Sequence, residues 1–188
     1  MEAIGHRAGF GSRLATLALA VSLAVMTGCP CWEVPDQTPY KSLEELGFED
    51  DAIVRLYGAP LPFVQCFGYH SWVVMKPKGS AVFDRWEVGI SWKDPYGHLW
   101  KNGYEAYDYD ANPGQFVLSE VTGEAAEAII NFVETQSPNY PLQERFTLLP
   151  GPNCNTYTNW VVTNSGWDYT CPDQMIGKDF PVNWPPAD

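Results

Sequence analysis

Cys154 lies in "GPNCNTYTNW" (151–160), between two asparagines and ahead of a stretch with helical character. A thiol attacks as its thiolate, and the free side chain has a pKa near ~8.5. A helix N-terminus lowers that value, because unpaired N–H groups and the helix dipole favour negative charge. "NCNTYTNWVVTNSG" predicts such a helix, capped by Asn153 and stopped near Gly166. A thiol there needs an imidazole to take its proton and hand it on to a leaving group. His70 sits in "PFVQCFGYHSWVVMKP", an apolar, β-branched and aromatic run that reads as a rigid strand, whereas His98 sits in the turn-like "PYGHLW". His70 is therefore the preferred base. The backbone N–H of Cys154 would face the oxyanion that forms during acyl transfer.

The chain's own N-terminus bears on what its cysteines do. Arg7 and Arg13 precede an uncharged run from Leu14 to Met26, too short to span a bilayer but of signal-peptide form. It ends in "MTGC", where Thr27, Gly28 and Cys29 resemble a bacterial lipobox. That resemblance implies a signal peptide over residues 1–28, lipidation of Cys29, and a mature chain that begins there. Pro30 follows, so the Asp signal for inner-membrane retention is absent, and in a Gram-negative cell the expected place is the periplasmic face of the outer membrane.

An exported chain favours disulfides, and Cys31, Cys66, Cys154 and Cys171 permit three connectivities. A Cys154–Cys171 bond would bracket the last helix, and Cys66–Cys154 would tie the histidine and cysteine segments together. Cys154 thus reads as nucleophile, disulfide partner or packed thiol. His70 likewise reads as base or as a satisfied core histidine in a sheet. Asn153 and Asn155 suit cap and turn roles.

Composition narrows the classes. Across 188 residues, 45% hydrophobic and 18% charged residues suit one globular domain, and 16 Gly with 16 Pro suit a turn-rich one. The net charge of -12, without a Lys/Arg-rich stripe, excludes nucleic acid as a partner. Membrane attachment must then come from the lipid, not from a polybasic patch. "DYDANPG" places Asp108, Asp110 and Asn112 like the start of a calcium loop, but its Gly is one position late and Ser119 stands where the bidentate Glu belongs. It reads as a solvated turn. There is no Cys-x-x-Cys pair for zinc and no Gly-rich phosphate loop, so no metal and no cofactor is expected.

The elements that must position these residues follow from pattern. Residues 29–49 are a tether and 50–188 one domain. "SLEELGFEDDAIVRLYG" carries a capping-box-like Ser42 and Glu45, predicting one or two helical turns with Gly58 as the stop. "AVFDRWEVGISW" alternates, with Trp86, Val88 and Ile90 on one face and Arg85, Glu87 and Gly89 on the other. It pairs with the His70 strand around "KPKGS" as a hairpin. Residues 93–115 are a long loop or a second hairpin. "TGEAAEAIINFVETQ" predicts a helix capped by Thr122 that buries Ala126, Ile129, Ile130 and Val133, and "ERFTLLPGPN" a strand running into a turn. The fold class is α+β: a small antiparallel sheet with two or three helices.

Three stretches, "GYHSWVVMKP", "LLPGPNCNTYTNWV" and "IGKDF", together resemble the bacterial domain of unknown function 3750 family over roughly residues 50–182. One departure is Cys154 itself, where Ser is common in the family. A strand carrying His, followed much later by Asn-Cys opening a helix, is also similar to the circularly permuted papain-like group of NlpC-like, lecithin–retinol acyltransferase-like and PPPDE proteins. That similarity implies a permuted papain-like fold and a third residue on the strand after the histidine. Glu87 is the first choice and Asp84 the second. The implied activity is a Cys/His hydrolase or acyltransferase working on amide or ester bonds of a cell-wall or lipid substrate. Asn153, Trp72 and Trp100 are the candidate substrate contacts. The aromatics Trp92, Tyr96, Trp100 and Tyr104 could stack on sugars or simply pack. The other reading is a non-catalytic envelope lipoprotein that binds a wall component or protein partner, with Cys154 in a disulfide.

Overall fold

The structure is a computed structural model that describes residues 34–61, 68–106 and 114–183. Ser42 caps the first helix, α1 (Leu43–Gly47). Its hydroxyl accepts from the Glu45 amide, while the Glu45 carboxylate accepts from the Ser42 amide at 2.8 Å. The short helix expected from that capping box is present, but Gly58 does not end it. Instead "IVRLYGAP" forms strand β1 (Ile53–Pro60). A strand covered on both faces loses the alternation that would separate it from a helix, which is why the pattern misled here.

Strands β2 (Tyr69–Lys76) and β3 (Asp84–Lys93) form the antiparallel pair expected around "KPKGS", in the register Val73↔Trp86, Val74↔Arg85 and Met75↔Asp84. The segment left open between loop and hairpin contains β4 (Gly97–Lys101), which pairs with β3. A fifth strand not foreseen from pattern, β5 (Phe116–Thr122), runs antiparallel to β1. The sheet order is β4-β3-β2-β1-β5.

Helix α2 (Gly123–Gln136) buries Ala126, Ile129, Ile130 and Val133, as its 3.6-residue period requires. Thr122 holds the N-cap position, although its side chain makes no capping bond. A 3-10 turn (Ser137–Asn139) follows, and α3 (Cys154–Asn164) is the last helix. "ERFTLLPGPN" is not a strand. Its chain is irregular, and Leu148 and Leu149 stand 54% and 60% exposed, with no sheet partner to cover them. The fold is α+β, with five antiparallel strands and three α-helices among the described residues.

Both faces of the sheet are covered. Helix α2 packs on β1 and β5, and α3 on β2 and β3. On the other face Leu43 and Leu46 of α1 join Ile53, Tyr57, Trp72 and Val74 in one cluster. Because alternate residues share a face, His70 lies on the Trp72 side of β2, and Ser71 and Val73 lie on the α3 side. Ile90 was expected beside Trp86 and Val88, yet it is 73% exposed. The β3–β4 register shifts between Val88 and Lys93, and such an irregularity breaks the alternation. Among the described residues, no helix is long and apolar enough to cross a membrane.

Leu56, fully buried at the centre of β1, should be sensitive to truncation. Leu56→Ala is expected to lower the unfolding free energy by about 2–5 kcal/mol, whereas Ile90→Ala should change it by no more than about 0.5 kcal/mol. Urea denaturation of the two variants measures the contrast.

Candidate active site

The β2–β3 ladder ends at Val73↔Trp86, while β2 stays paired with β1 out to Pro60↔Tyr69. The β2 edge from Tyr69 to Trp72 therefore needs other partners, since buried backbone polar groups are costly to leave unpaired. Helix α3 provides them. Asn155 Nδ2 donates to the Tyr69 carbonyl at 3.0 Å, and its Oδ1 accepts from Ser71 Oγ at 2.7 Å. Ser71 Oγ also lies 2.7 Å from Thr158 Oγ1. The Tyr69 amide donates to the Gln174 carbonyl at 3.4 Å.

The same contacts fix the start of α3. Asn153 Oδ1 accepts from the amides of Asn155 and Thr156 at 3.0 and 3.3 Å, and Thr156 Oγ1 accepts from the Asn153 amide at 3.0 Å. Asn153 Nδ2 donates to the carbonyls of Leu148 and Ile176. "IGKDF" thus wraps the helix start: Ile176 O also accepts from Asn155 Nδ2, and Gly177 O from Thr156 Oγ1. Gly177 has φ +91, and a Cβ there would sit 2.4 Å from Asn153 Nδ2. Both the backbone conformation and the close approach demand glycine.

Cys154 occupies the first position of α3, 8% exposed and free, as Cys171 is. The Cys154–Cys171 bond that would bracket this helix is not formed. The Cys154 thiol lies 3.8 Å from Asn155 Oδ1 and interacts electrostatically with His70, whose Nε2 lies 3.0 Å from Glu87 Oε2. Nδ1 is then the nitrogen left for the sulfur. His70 stacks on Trp72 at 5.3 Å and 24°, and Trp72 stacks in turn on Tyr57. Glu87, 1% exposed, shares Oε2 with Arg85 Nη2 at 2.8 Å. Arg85 is fully buried, with its guanidinium 4.6 Å above the Trp72 ring.

These contacts shift all three titratable groups. Burial disfavours a charged His70, but the Cys154 thiolate and Glu87 outweigh it and raise its pKa to about 10. Burial would push the Cys154 thiol up; the His70 charge and the amides of Ser71 and Asn155 bring it below its usual value. Glu87 is likewise lowered against its burial, by His70 first and then by Arg85. All three shifts act in favour of a thiolate–imidazolium pair anchored by a carboxylate. Such a pair can attack a carbonyl carbon and protonate the departing group.

The other residues singled out by pattern lie elsewhere or serve differently. Asp84 bonds Asn102 and Lys101. His98 Nδ1 lies 3.1 Å from the Gly89 carbonyl, with its ring against Trp92 and Phe146. Asn153 has both amide atoms committed to backbone. Trp72 is buried beneath His70, and Trp100, also buried, donates to the Ser91 carbonyl. Cys29, Cys31 and Cys66 and the Asp108–Asn112 turn fall outside the described residues. No group of three His, Cys, Asp or Glu among the described residues is placed to hold a metal. Arg85, Ser71 and Asn155 were not picked out for the site by pattern. For Arg85 the available signal was its spacing: it lies two residues before Glu87 and so shares its face.

The chain belongs to the family described as "Protein of unknown function (DUF3750)", which matches residues 51–180. That span holds β1 to α3 and the "IGKDF" wrap, and so every residue of the site. No curated protein and no solved structure matches the chain.

The pair's titration sets a dependence of stability on pH. Between 6.5 and 9.0, the ordinary values of the two groups, the unfolded chain carries its proton on sulfur, while the lowered thiol and raised imidazole of the folded chain favour it on His70. Folding exchanges no net proton, so the pair's contribution is flat. Above 9.0 the unfolded thiol ionises while folded His70 keeps its proton to about 10. Folding then takes up a proton, and the contribution falls as pH rises. Towards acid the folded thiolate takes up a proton as pH falls through its lowered value, and the Cys154 contribution is lost. The gap in urea midpoint between wild type and Cys154→Ser should therefore be widest on the plateau and shrink on both sides. A gap constant with pH would mean that the pair is not ionised.

Proposed function

We propose that this chain is a thiol hydrolase or acyltransferase of the cell envelope, acting on amide or ester bonds through Cys154, His70 and Glu87. The observation that carries this reading is the free Cys154 thiol at a helix start, in electrostatic contact with a histidine whose Nε2 is held 3.0 Å from a buried carboxylate. The Cys154 thiolate adds to the substrate carbonyl carbon, and the oxygen that gains charge faces the backbone N–H of Cys154 at the start of α3. His70 then gives its proton to the leaving amine or alcohol as the carbon–heteroatom bond breaks, leaving a thioester. In the second half, neutral His70 takes a proton from water or from an acceptor nucleophile, which attacks the thioester and regenerates the thiolate. Water completes hydrolysis; another nucleophile completes acyl transfer. Glu87 holds the ring and balances its charge throughout.

The order of histidine strand before cysteine helix is that of the permuted papain-like group, which supports a thiol enzyme. The leader and "MTGC" support export and a lipid on Cys29. The lipid then holds an acidic domain at a membrane, where cell-wall or lipid acyl groups are the substrates within reach, and nucleic acid is not a partner.

Two measurements test this. With 4-nitrophenyl acetate as an ester probe, wild type should release a burst of nitrophenolate and retain an acetyl group on Cys154. Cys154→Ala should abolish the burst, and His70→Gln should slow it by about 10²-fold or more. A burst of wild-type size in Cys154→Ala would sink the proposal. In the producing cell, Cys29→Ala is expected to move the chain from the membrane fraction to the soluble one and to abolish its labelling by radioactive palmitate.

A further inference from the structure

Glu87 has one unusual feature for a carboxylate that anchors a histidine. One oxygen, Oε2, takes both neighbours, the His70 imidazole at 3.0 Å and Arg85 Nη2 at 2.8 Å, while Oε1 is buried without a hydrogen-bond partner among the described residues. Arg85 is stranger still. Its side chain is fully buried, and among the described residues its Nε and Nη1 have no hydrogen-bond partner. Trp72 lies under its guanidinium at 4.6 Å and Tyr104 at 5.4 Å. A buried cation with three of its five donors spent on aromatic faces or on nothing is a poor device for stability alone. Its hydrogen bond goes to the carboxylate that orients the base. Trp72 contacts both partners, carrying Arg85 on its ring and His70 in a stack.

We infer that Arg85 is a positioning residue of the thiol site: it keeps Glu87 ionised in a dry environment and aims Oε2 at His70 Nε2. The inference rests on the proposed thiol chemistry and extends it from three residues to four. Charge alternates along the chain of contacts, from thiolate to imidazolium to carboxylate to guanidinium. Around Glu87 the titratable and charged groups are His70 on β2, Cys154 beyond it on α3, Arg85 on β3 itself, and Tyr104 after β4, under the guanidinium. Across the β3–β4 pair Glu87 faces Trp100, over which Lys93 lies at 3.9 Å. Besides the His70 imidazolium, the cation that hydrogen-bonds the carboxylate is Arg85. Without it, a carboxylate buried this deeply and left with one partner takes up a proton more readily. The imidazolium then loses its counter-charge, and the thiolate loses the imidazolium.

The test reads the thiol directly, without a substrate. The full chain is alkylated with iodoacetamide across pH, and the rate at Cys154 is followed on its own peptide by mass spectrometry. The wild-type rate should be level across neutral pH, with an acid limb set by the thiol and an alkaline limb set by His70. Arg85→Met, which keeps an unbranched side chain on Trp72, should narrow that plateau from both ends. The acid limb should move up by at least about one pH unit, so that alkylation in that limb falls about tenfold. Arg85→Lys should recover most of the width. Glu87→Gln should narrow the plateau as Arg85→Met does, and the double variant should go little further. A plateau unchanged or widened in Arg85→Met, with only a lower melting temperature, overturns the positioning role and leaves the thiol enzyme standing. A wild-type thiol with no plateau at neutral pH, reacting like a free cysteine, overturns both.

Discussion

The end of the β2–β3 ladder at Val73↔Trp86 is the constraint on which the site depends. An interior strand that loses its neighbour exposes backbone donors and acceptors that must be paired again. Here the replacement is the first turn of a helix. Asn155 bonds Tyr69 and Ser71, and the Ser71 amide supports the Cys154 sulfur. The helix start is thereby held at the strand edge and not merely laid over a face. Cys154, from the α3 side, and His70, from the Trp72 side, meet at that edge. Had the ladder continued, the sheet itself would have separated them.

Around that meeting point the structure resolves an electrostatic conflict. Thiolate, imidazolium, carboxylate and guanidinium are each expensive to bury alone. Set in a row with alternating sign, each offsets the desolvation of its neighbours, and the directions of the His70, Glu87 and Cys154 shifts follow from this. Such a row is cooperative, because removing one member strands the next. It also explains why His70 is partly exposed while Glu87 and Arg85 are not. The reacting end needs access, and the supporting end needs dryness.

The two motifs near the C-terminus form one mechanical unit. "PGPNCNT" supplies the amide and hydroxyl side chains, and "IGKDF" supplies the carbonyls of Ile176 and Gly177 that receive them. The cap is stiffened on both sides, so the first residue of α3 is held in place. The exposed Leu148 and Leu149 just upstream fit the same picture. That stretch serves as a brace, with Leu148 O receiving Asn153 Nδ2, and is no strand.

Local physics made part of this legible in the sequence. The Ser42–Glu45 capping box, the α2 stripe of Ala126, Ile129, Ile130 and Val133, the Asn153 cap and the β2–β3 hairpin depend on neighbours within a few residues, and each appears where its pattern put it. Strands β1 and β5 were not legible. Burial on both faces erased the alternation of β1, and β5 runs straight into the α2 cap. The cysteine that opens the last helix, the strand histidine and the carboxylate on the next strand could be nominated from residue types, and from a resemblance for Glu87. Only the tertiary structure decided that they touch. Their contact depends on where one ladder stops and what replaces it, a matter of pairing between segments more than 80 residues apart. Arg85 belongs mostly to that second class: its spacing puts it on the face of Glu87, but only the packing of Trp72 and Glu87 around it makes it part of the site.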